Sequence, residues 1–285
     1  MTTPHISVLL DKVIEILGDI NGKTIIDATF GAGGYSHRFL ELGANVIAFD
    51  RDPSVQKFAD ILSKKYLARF QFINSSFSNI DNPALVDAIV FDLGISSMQI
   101  DTPERGFSWR FDALLDMRMG VGITAAELIK NTTASELAKI LKSYGDVKKA
   151  GIIARAIKTA LPETTFQLKD LIHNPKDIAP VFQAIRIALN EEMDELEQAL
   201  SAAPNLLAPN GICAAVTFHS LEDRIVKQKF RELTTPIGDP RFPTQPAAFL
   251  PLKTYRPDTV ELETNPRARS AHLRVIKRVA KIAKN

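Results

Sequence analysis

Three aspartates each close a short run of apolar residues: Asp27 in KTIIDAT, Asp50 in NVIAFD and Asp92 in VDAIVFD. Between the first two lies the glycine turn GAGGYS, residues 31–36. If the apolar runs are parallel strands, the three carboxylates gather on one edge of a sheet, where open α/β sheets bind their ligands. A glycine turn at a helix start lets a ligand approach the backbone, and an acid ending the next strand suits ribose hydroxyls. As a dinucleotide fingerprint the turn is incomplete. Gly31 and Gly33 fill the first two glycine positions, but Ser36 stands at the third.

Three carboxylates would repel a pyrophosphate. They suit a ligand that carries a sulfonium and an ammonium against one carboxylate, so charge favours S-adenosylmethionine over a nicotinamide cofactor. A second role stays open for Asp27, that of capping a helix or loop. Asp92 is wanted both for the cofactor and as an acceptor of the substrate's proton, and the sequence does not separate the two. His219 and Ser220, in TFHSLED, follow a later apolar run and form a second candidate pair; a structural histidine is the ordinary expectation for His219 alone. Phe77 offers either a flat face for adenine or a side chain for the core. Cys213, within GICAAVTF, reads as a small buried residue. The five histidines are scattered without metal-ligand spacing, so no metal is expected.

The positioning elements follow from pattern. Residues 23–29, 45–50, 69–75 and 86–92 are strands of near-continuous Val, Ile and Phe character, with helices over 33–43 and 53–66. Strands this apolar are covered on both faces, which implies a parallel sheet with helices above and below. Residues 104–122, ERGFSWRFDALLDMRMGVG, have no clean period and read as an ordered loop. Helices follow: Thr124 with Glu127 and Thr133 with Glu136 have capping-box spacing. Leu137, Ile140, Leu141 and Tyr144 mark one apolar stripe, and Ile153, Ala154, Ile157 and Leu161 another. Leu189, Met193, Leu196 and Leu200 line a long helix, PNG (209–211) turns into a strand over 212–218, and 220–233 is a helix. HLRVIKRVAKI fits a strand or a helix equally by pattern and is read as a closing strand. The expected organisation is an α/β domain over 1–104 and 186–285, interrupted by a helical domain over 105–185.

Hydrophobic residues make up 45% and charged residues 24%, the balance of a globular protein without a membrane span. MTTPHISVLLDKVIEIL has too short an apolar core for a signal peptide, so the cytoplasm is the expected location. The net charge is only +2, yet Arg267, Arg269, Arg274, Lys277, Arg278, Lys281 and Lys284 occur without an intervening acid. Such a run is either a solvated face or a phosphate-contacting patch.

Eight stretches, TFGAGGYS, FDRDP, DLGISSMQID, ERGFSWR, LDMRM, FQAIRIALNEE, FHSLEDRIVK and NPRARSAHLR, occur in that order between about His5 and Arg274. Together they resemble the bacterial 16S rRNA (cytosine-N4)-methyltransferase family of the RsmH (MraW) type. The resemblance implies a Rossmann-like S-adenosylmethionine-dependent methyltransferase sheet with an inserted helical domain. It implies methyl transfer to the exocyclic N4 amine of one cytidine in the decoding region of 16S rRNA, within the small ribosomal subunit. Cofactor contacts would fall on Gly33, Gly34, Tyr35, Asp50, Phe77, Asp92 and Gln99, with Asp92 also the catalytic candidate. Tyr35 stands where many members have His, and Met98 where Pro is usual before Gln99. Arg105, Trp109, Arg267 and Arg269 are the expected RNA contacts: an Arg and an aromatic for an unstacked base, two Arg for phosphates. The competing readings are a nicotinamide-dependent oxidoreductase, a noncatalytic small-subunit assembly factor of the same fold, and an amino-methyltransferase acting on another substrate such as DNA.

Overall fold

The computed structural model describes residues 7–82, 84–239 and 242–280. Lys281 and Lys284 of the basic run lie outside the described residues. The chain opens with α1 (Leu10–Leu17), β1 (Thr24–Asp27), α2 (Gly34–Glu41), β2 (Asn45–Asp50), α3 (Gln56–Tyr66), β3 (Phe70–Asn74) and β4 (Val86–Asp92). Helices follow: α4 (Ser97–Asp101), α5 (Ala125–Asn131), α6 (Ala134–Gly145), α7 (Ala150–Ala160), α8 (Thr165–Asp170) and α9 (Pro175–Asn190). The chain ends with α10 (Glu192–Ala202), β5 (Leu207–Thr217), α11 (Ser220–Thr234), β6 (Ile237–Asp239), β7 (Phe242–Gln245), β8 (Phe249–Pro251), α12 (Thr259–Thr264) and β9 (His272–Arg278).

Two compact units result, Met1–Gly94 with Met193–Asn285, and Ile95–Glu192. The sequence reading set these boundaries at 104/105 and 185/186; the structure draws them at Gly94/Ile95 and Glu192/Met193. The shift has a packing cause: Ile95 and Leu189 both pack against the core of the helical unit.

In the first unit the sheet order is β3-β2-β1-β4-β5-β9-β8. β1 to β5 run parallel, in the doubly wound order that reverses direction beside β1. β9 lies antiparallel between β5 and β8, so this segment is the strand it was read as, but β8 and not β9 forms the edge of the sheet. The pleat sends Ile26, Ile89, Phe91 and Cys213 into one core with Leu196 and Leu200 of α10 and Val226 of α11. Their neighbours Ile25, Val90, Ala214 and Val275 face the other way and are also buried, so both faces are covered. The strand after PNG begins earlier than expected. β5 starts at Leu207, takes Asn210 in at φ 65, and slips register against β4 between Val86 and Ala88.

The helical unit has its own core, built on Leu137, Leu141, Ile153, Ile157, Val181 and Ile185. Both expected capping boxes form, at Thr124 and Thr133. Leu161 departs from its stripe: α7 ends at Ala160, and Leu161 turns out in a left-handed cap, 44% exposed. The long helix expected through Leu189 and Leu200 is two helices, because Glu191 adopts φ 52 and breaks α9 from α10.

The loop before α5 is ordered by side chains that reach its backbone. Thr165 Oγ1 donates to Phe111 O (2.6 Å) and accepts from Ala113 N (3.1 Å). Asn190, 3% exposed, accepts from Met119 N (2.8 Å) and donates to Met117 O (2.9 Å). Among the described residues, no helix is long and apolar enough to cross a membrane.

Candidate active site

Because β1, β2 and β4 are parallel, their carboxyl ends share one edge, and Asp27, Asp50 and Asp92 are the last residues of those strands. Asp27 pairs in register with Ala48 and Val90, and Asp92 with Val216. Beyond the strands the chain is stitched by Ala28 N to Val90 O and Phe30 N to Phe49 O, each 2.9 Å. The β1 turn is thereby held against both neighbouring strands.

The turn itself requires glycine. Gly31 and Gly33 have φ of 54° and 82°, in the left-handed region. A Cβ on Gly33 would stand 2.9 Å from Phe30 Cζ, and one on Gly34 would overlap Ser7 Oγ. α2 starts at Gly34 with no side-chain cap, leaving the helix N-terminus as an anion-favouring end. Ser36 explains the missing third glycine: it is fully buried, and its hydroxyl donates to Asp27 Oδ2 at 2.6 Å.

Each acid has a distinct setting. Asp27 is 1% exposed and also accepts from Thr29 N, so its structural role is real. Burial pushes its carboxyl up to about 6, against the lowering by Ser36 and Thr29. Asp50 is half-buried; Oδ2 accepts from Gly31 N (2.8 Å) and Oδ1 from Asp52 N (2.9 Å), leaving further lone pairs on both oxygens. Burial also raises Asp50 to about 6. Asp92 is held well above the ordinary carboxylate range, first by burial, then by the negative charges of Asp27 and Glu222. Its backbone N–H donates to Thr29 Oγ1 (2.6 Å), yet its buried Oδ1 receives no hydrogen bond. A rim of mutually repelling carboxylates with an unanswered buried acceptor fits a cationic ligand that also brings hydrogen-bond donors.

The remaining expected contacts are placed as follows. Tyr35 is 3% exposed and its hydroxyl donates to Val8 O at 2.5 Å, so only its backbone is available at the turn. Phe77 stands edge-on to Phe91 (6.0 Å, 86°), half-buried against the sheet core. Gln99 belongs to the helical unit, where its Oε1 accepts from Ser96 N (3.0 Å) in a capping box that opens α4, with Met98 in the first turn. Arg105 and Trp109 are also in that unit. Arg105 Nη2 donates to Arg118 O at 2.6 Å, and the Trp109 ring packs 5.7 Å from Phe182.

Arg267 and Arg269 are exposed on the short turn Pro266–Ser270 of the first unit. Two later residues of the basic run have partners within the chain. Arg274 makes a bidentate pair with Asp223 (2.8 and 2.9 Å), and Arg278 donates to Leu207 O.

Sequence reasoning missed Glu222. It is 2% exposed, and its Oε2 accepts from Phe218 N (2.7 Å) and His219 N (3.3 Å). The signal was present in HSLE, a capping box with His as N-cap.

Comparison with known proteins completes the description. The model of the MraW methylase family matches residues 2–279. Ribosomal RNA small subunit methyltransferase H of Zymomonas mobilis is 47% identical over 300 residues, covering 96% of this chain and 90% of that protein. The proteins of the same description from Chelativorans sp. (strain BNC1) and Caulobacter sp. (strain K31) are 44% and 45% identical, covering 97% and 95% of this chain and 88% and 91% of their own lengths. A match across nearly the whole length, on a sheet whose acidic edge suits a cationic methyl donor, makes this chain a member of the MraW methylase family.

Proposed function

We propose that this methyltransferase acts in the cytoplasm on 16S rRNA within the small ribosomal subunit, methylating the exocyclic N4 amine of one cytidine in the decoding region. The observation that carries the reading is Asp92 Oδ1, a buried acceptor without a donor at the carboxyl edge of the sheet. When bound, S-adenosylmethionine supplies a methyl carbon on a sulfonium, so the amine nitrogen gains an N–C bond as the C–S bond breaks to a neutral thioether.

The residues of the chain divide the remaining work. The backbone of Gly33, Gly34 and Tyr35 receives the carboxylate end of the cofactor at the uncapped start of α2. Asp50 accepts from the ribose hydroxyls with its remaining lone pairs, and Phe77 offers its face to adenine.

Cytosine's amine is a poor nucleophile because its lone pair is delocalised into the ring. Asp92 counters this by accepting an N4–H, which localises the lone pair and orients the amine. Its raised proton affinity also equips it to take the proton that the amine must lose. The target base leaves its stack to reach the strand edge. Arg267 and Arg269 meet backbone phosphates. The contacts implied by resemblance, Gln99 to the cofactor and Arg105 and Trp109 to RNA, form part of this proposal.

The test is methylation of unmodified small subunits with labelled S-adenosylmethionine, followed by nucleoside mass spectrometry. The expected product is N4-methylcytidine at one position. Label in another nucleoside, or none, would overturn the reading.

A further inference from the structure

Two buried side-chain polar atoms among the described residues have no hydrogen-bond partner: Asp92 Oδ1 and His219 Nε2. Their placement is related. Asp92 ends β4 and His219 follows β5, the adjacent parallel strand, with Leu93 N donating to Val216 O (3.0 Å) between them. Past Asp92, a Cβ on Gly94 would meet Phe218 at 3.4 Å and Glu222 Oε1 at 3.7 Å. Glu222 Oε1 in turn lies 3.0 Å from His219 Nε2. That separation is short enough for charge to be felt, but the contact is not a hydrogen bond, so the nitrogen is still unanswered.

The cap identifies what the nitrogen carries. His219 is the N-cap of α11, and its Nδ1 accepts from Glu222 N at 3.4 Å. A ring nitrogen that accepts is unprotonated, which puts the proton of the neutral imidazole on Nε2. His219 is therefore a donor at this edge and does not serve as the base. One acceptor ends a strand and one donor follows the end of the neighbouring strand, and each is costly to leave unmet when buried.

We propose that His219 reads the target base, its Nε2–H donating to ring nitrogen N3 next to the amine whose hydrogen Asp92 Oδ1 accepts. The inference rests on the cytidine reading above. Cytosine presents a donor, N4–H, beside an acceptor, N3. Uracil presents an acceptor beside a donor and is refused by both residues at once. His219 thus fixes which pyrimidine enters and turns its amine toward Asp92. It is a specificity residue and takes no proton.

The experiment pairs an enzyme change with a substrate change. Small subunits carry cytidine or 3-deazacytidine at the methylated position, and wild type is compared with His219→Asn, whose side chain still caps a helix. With wild type, loss of N3 is expected to lower kcat/KM about tenfold or more. His219→Asn is expected to lose a similar factor on cytidine, lose little more on 3-deazacytidine, and keep its cofactor affinity by calorimetry. Losses that multiply would mean that His219 only caps α11, and would overturn the proposal. Wild type indifferent to N3 would overturn it without any variant. Failure of the cytidine reading is distinguishable, since wild type would then form no N4-methylcytidine on unmodified subunits.

Discussion

Asp50 Oδ2 accepts the backbone N–H of Gly31 at 2.8 Å, so the residue proposed to hold a ribose also holds the glycine turn. The carboxylate joins the end of β2 to the loop after β1, and its second oxygen steadies its own loop through Asp52 N. Asp50→Ala removes the ribose acceptor and frees the turn together. Charge-assisted hydrogen bonds contribute about 1.5–3 kcal/mol each, so cofactor affinity should fall about a hundredfold or more by calorimetry. Affinity within about twofold of wild type would remove Asp50 from the cofactor site.

The acids on the strand ends also set a pH dependence. Asp27 and Asp50 are raised from 3.8 to about 6 in the folded chain, chiefly by burial. Between those values the folded state binds protons that the unfolded chain has released. The stability these groups contribute is therefore present below about pH 4 and lost as pH rises through about 6. A cationic ligand meets charged carboxylates only above that range. S-adenosylmethionine should raise the unfolding temperature more at about pH 7.5 than at about pH 5. Equal shifts at both would show that the acidic rim plays no electrostatic part in binding.

Arg267 and Arg269 differ in kind from Arg274, although all three lie in one basic run. Arg267 and Arg269 are exposed, while Arg274 is locked in a partly buried bidentate pair with Asp223. Arg267→Glu with Arg269→Glu should weaken RNA binding and flatten its salt dependence, leaving cofactor affinity unchanged. Arg274→Ala should instead cost about 1–3 kcal/mol of stability, because Asp223 loses two charged donors. A salt titration of rRNA binding and denaturant unfolding check the two expectations. Unchanged RNA affinity in the double variant would clear this turn of RNA contact.

What the sequence disclosed depended on whether periodicity or a short motif carried the information. β2 and β4 end at the residues expected, because each is a pure apolar run closed by Asp50 or Asp92. The two Thr–Glu capping boxes were equally visible, since their chemistry is local. The break at Glu191 was not: a left-handed residue between two amphipathic helices leaves the apolar spacing intact. Leu161 was misplaced for the same reason, its spacing continuing a stripe that the backbone had already left. The glycine turn and its acids were found, but Ser36 read as a flaw in a fingerprint when it is the buried donor that holds Asp27. Glu222 and the unanswered nitrogen of His219 depend on which atoms remain unpaired after folding, which only packing decides.

Asn190 supplies the last test, because one side chain fixes a stretch with no secondary structure of its own. Its Oδ1 accepts from Met119 N (2.8 Å), and its Nδ2 donates to Met117 O and to Arg186 O, each 2.9 Å. Met117 is fully buried at φ 58, a conformation a methionine adopts only when its surroundings hold it there. Asn190→Ala strands a buried N–H and leaves two carbonyls short of a donor, for a loss of about 2–4 kcal/mol in denaturant unfolding. Asn190→Asp keeps the acceptor but forfeits both donations and buries a charge, so it should be the worse of the two. Hydrogen exchange at Met119 should accelerate in Asn190→Ala, where its acceptor is lost, while amides in β4 keep their protection, since that strand lies in the other unit. A loss below about 0.5 kcal/mol would mean that the loop is held by its apolar contacts and that the Asn190 hydrogen bonds contribute little.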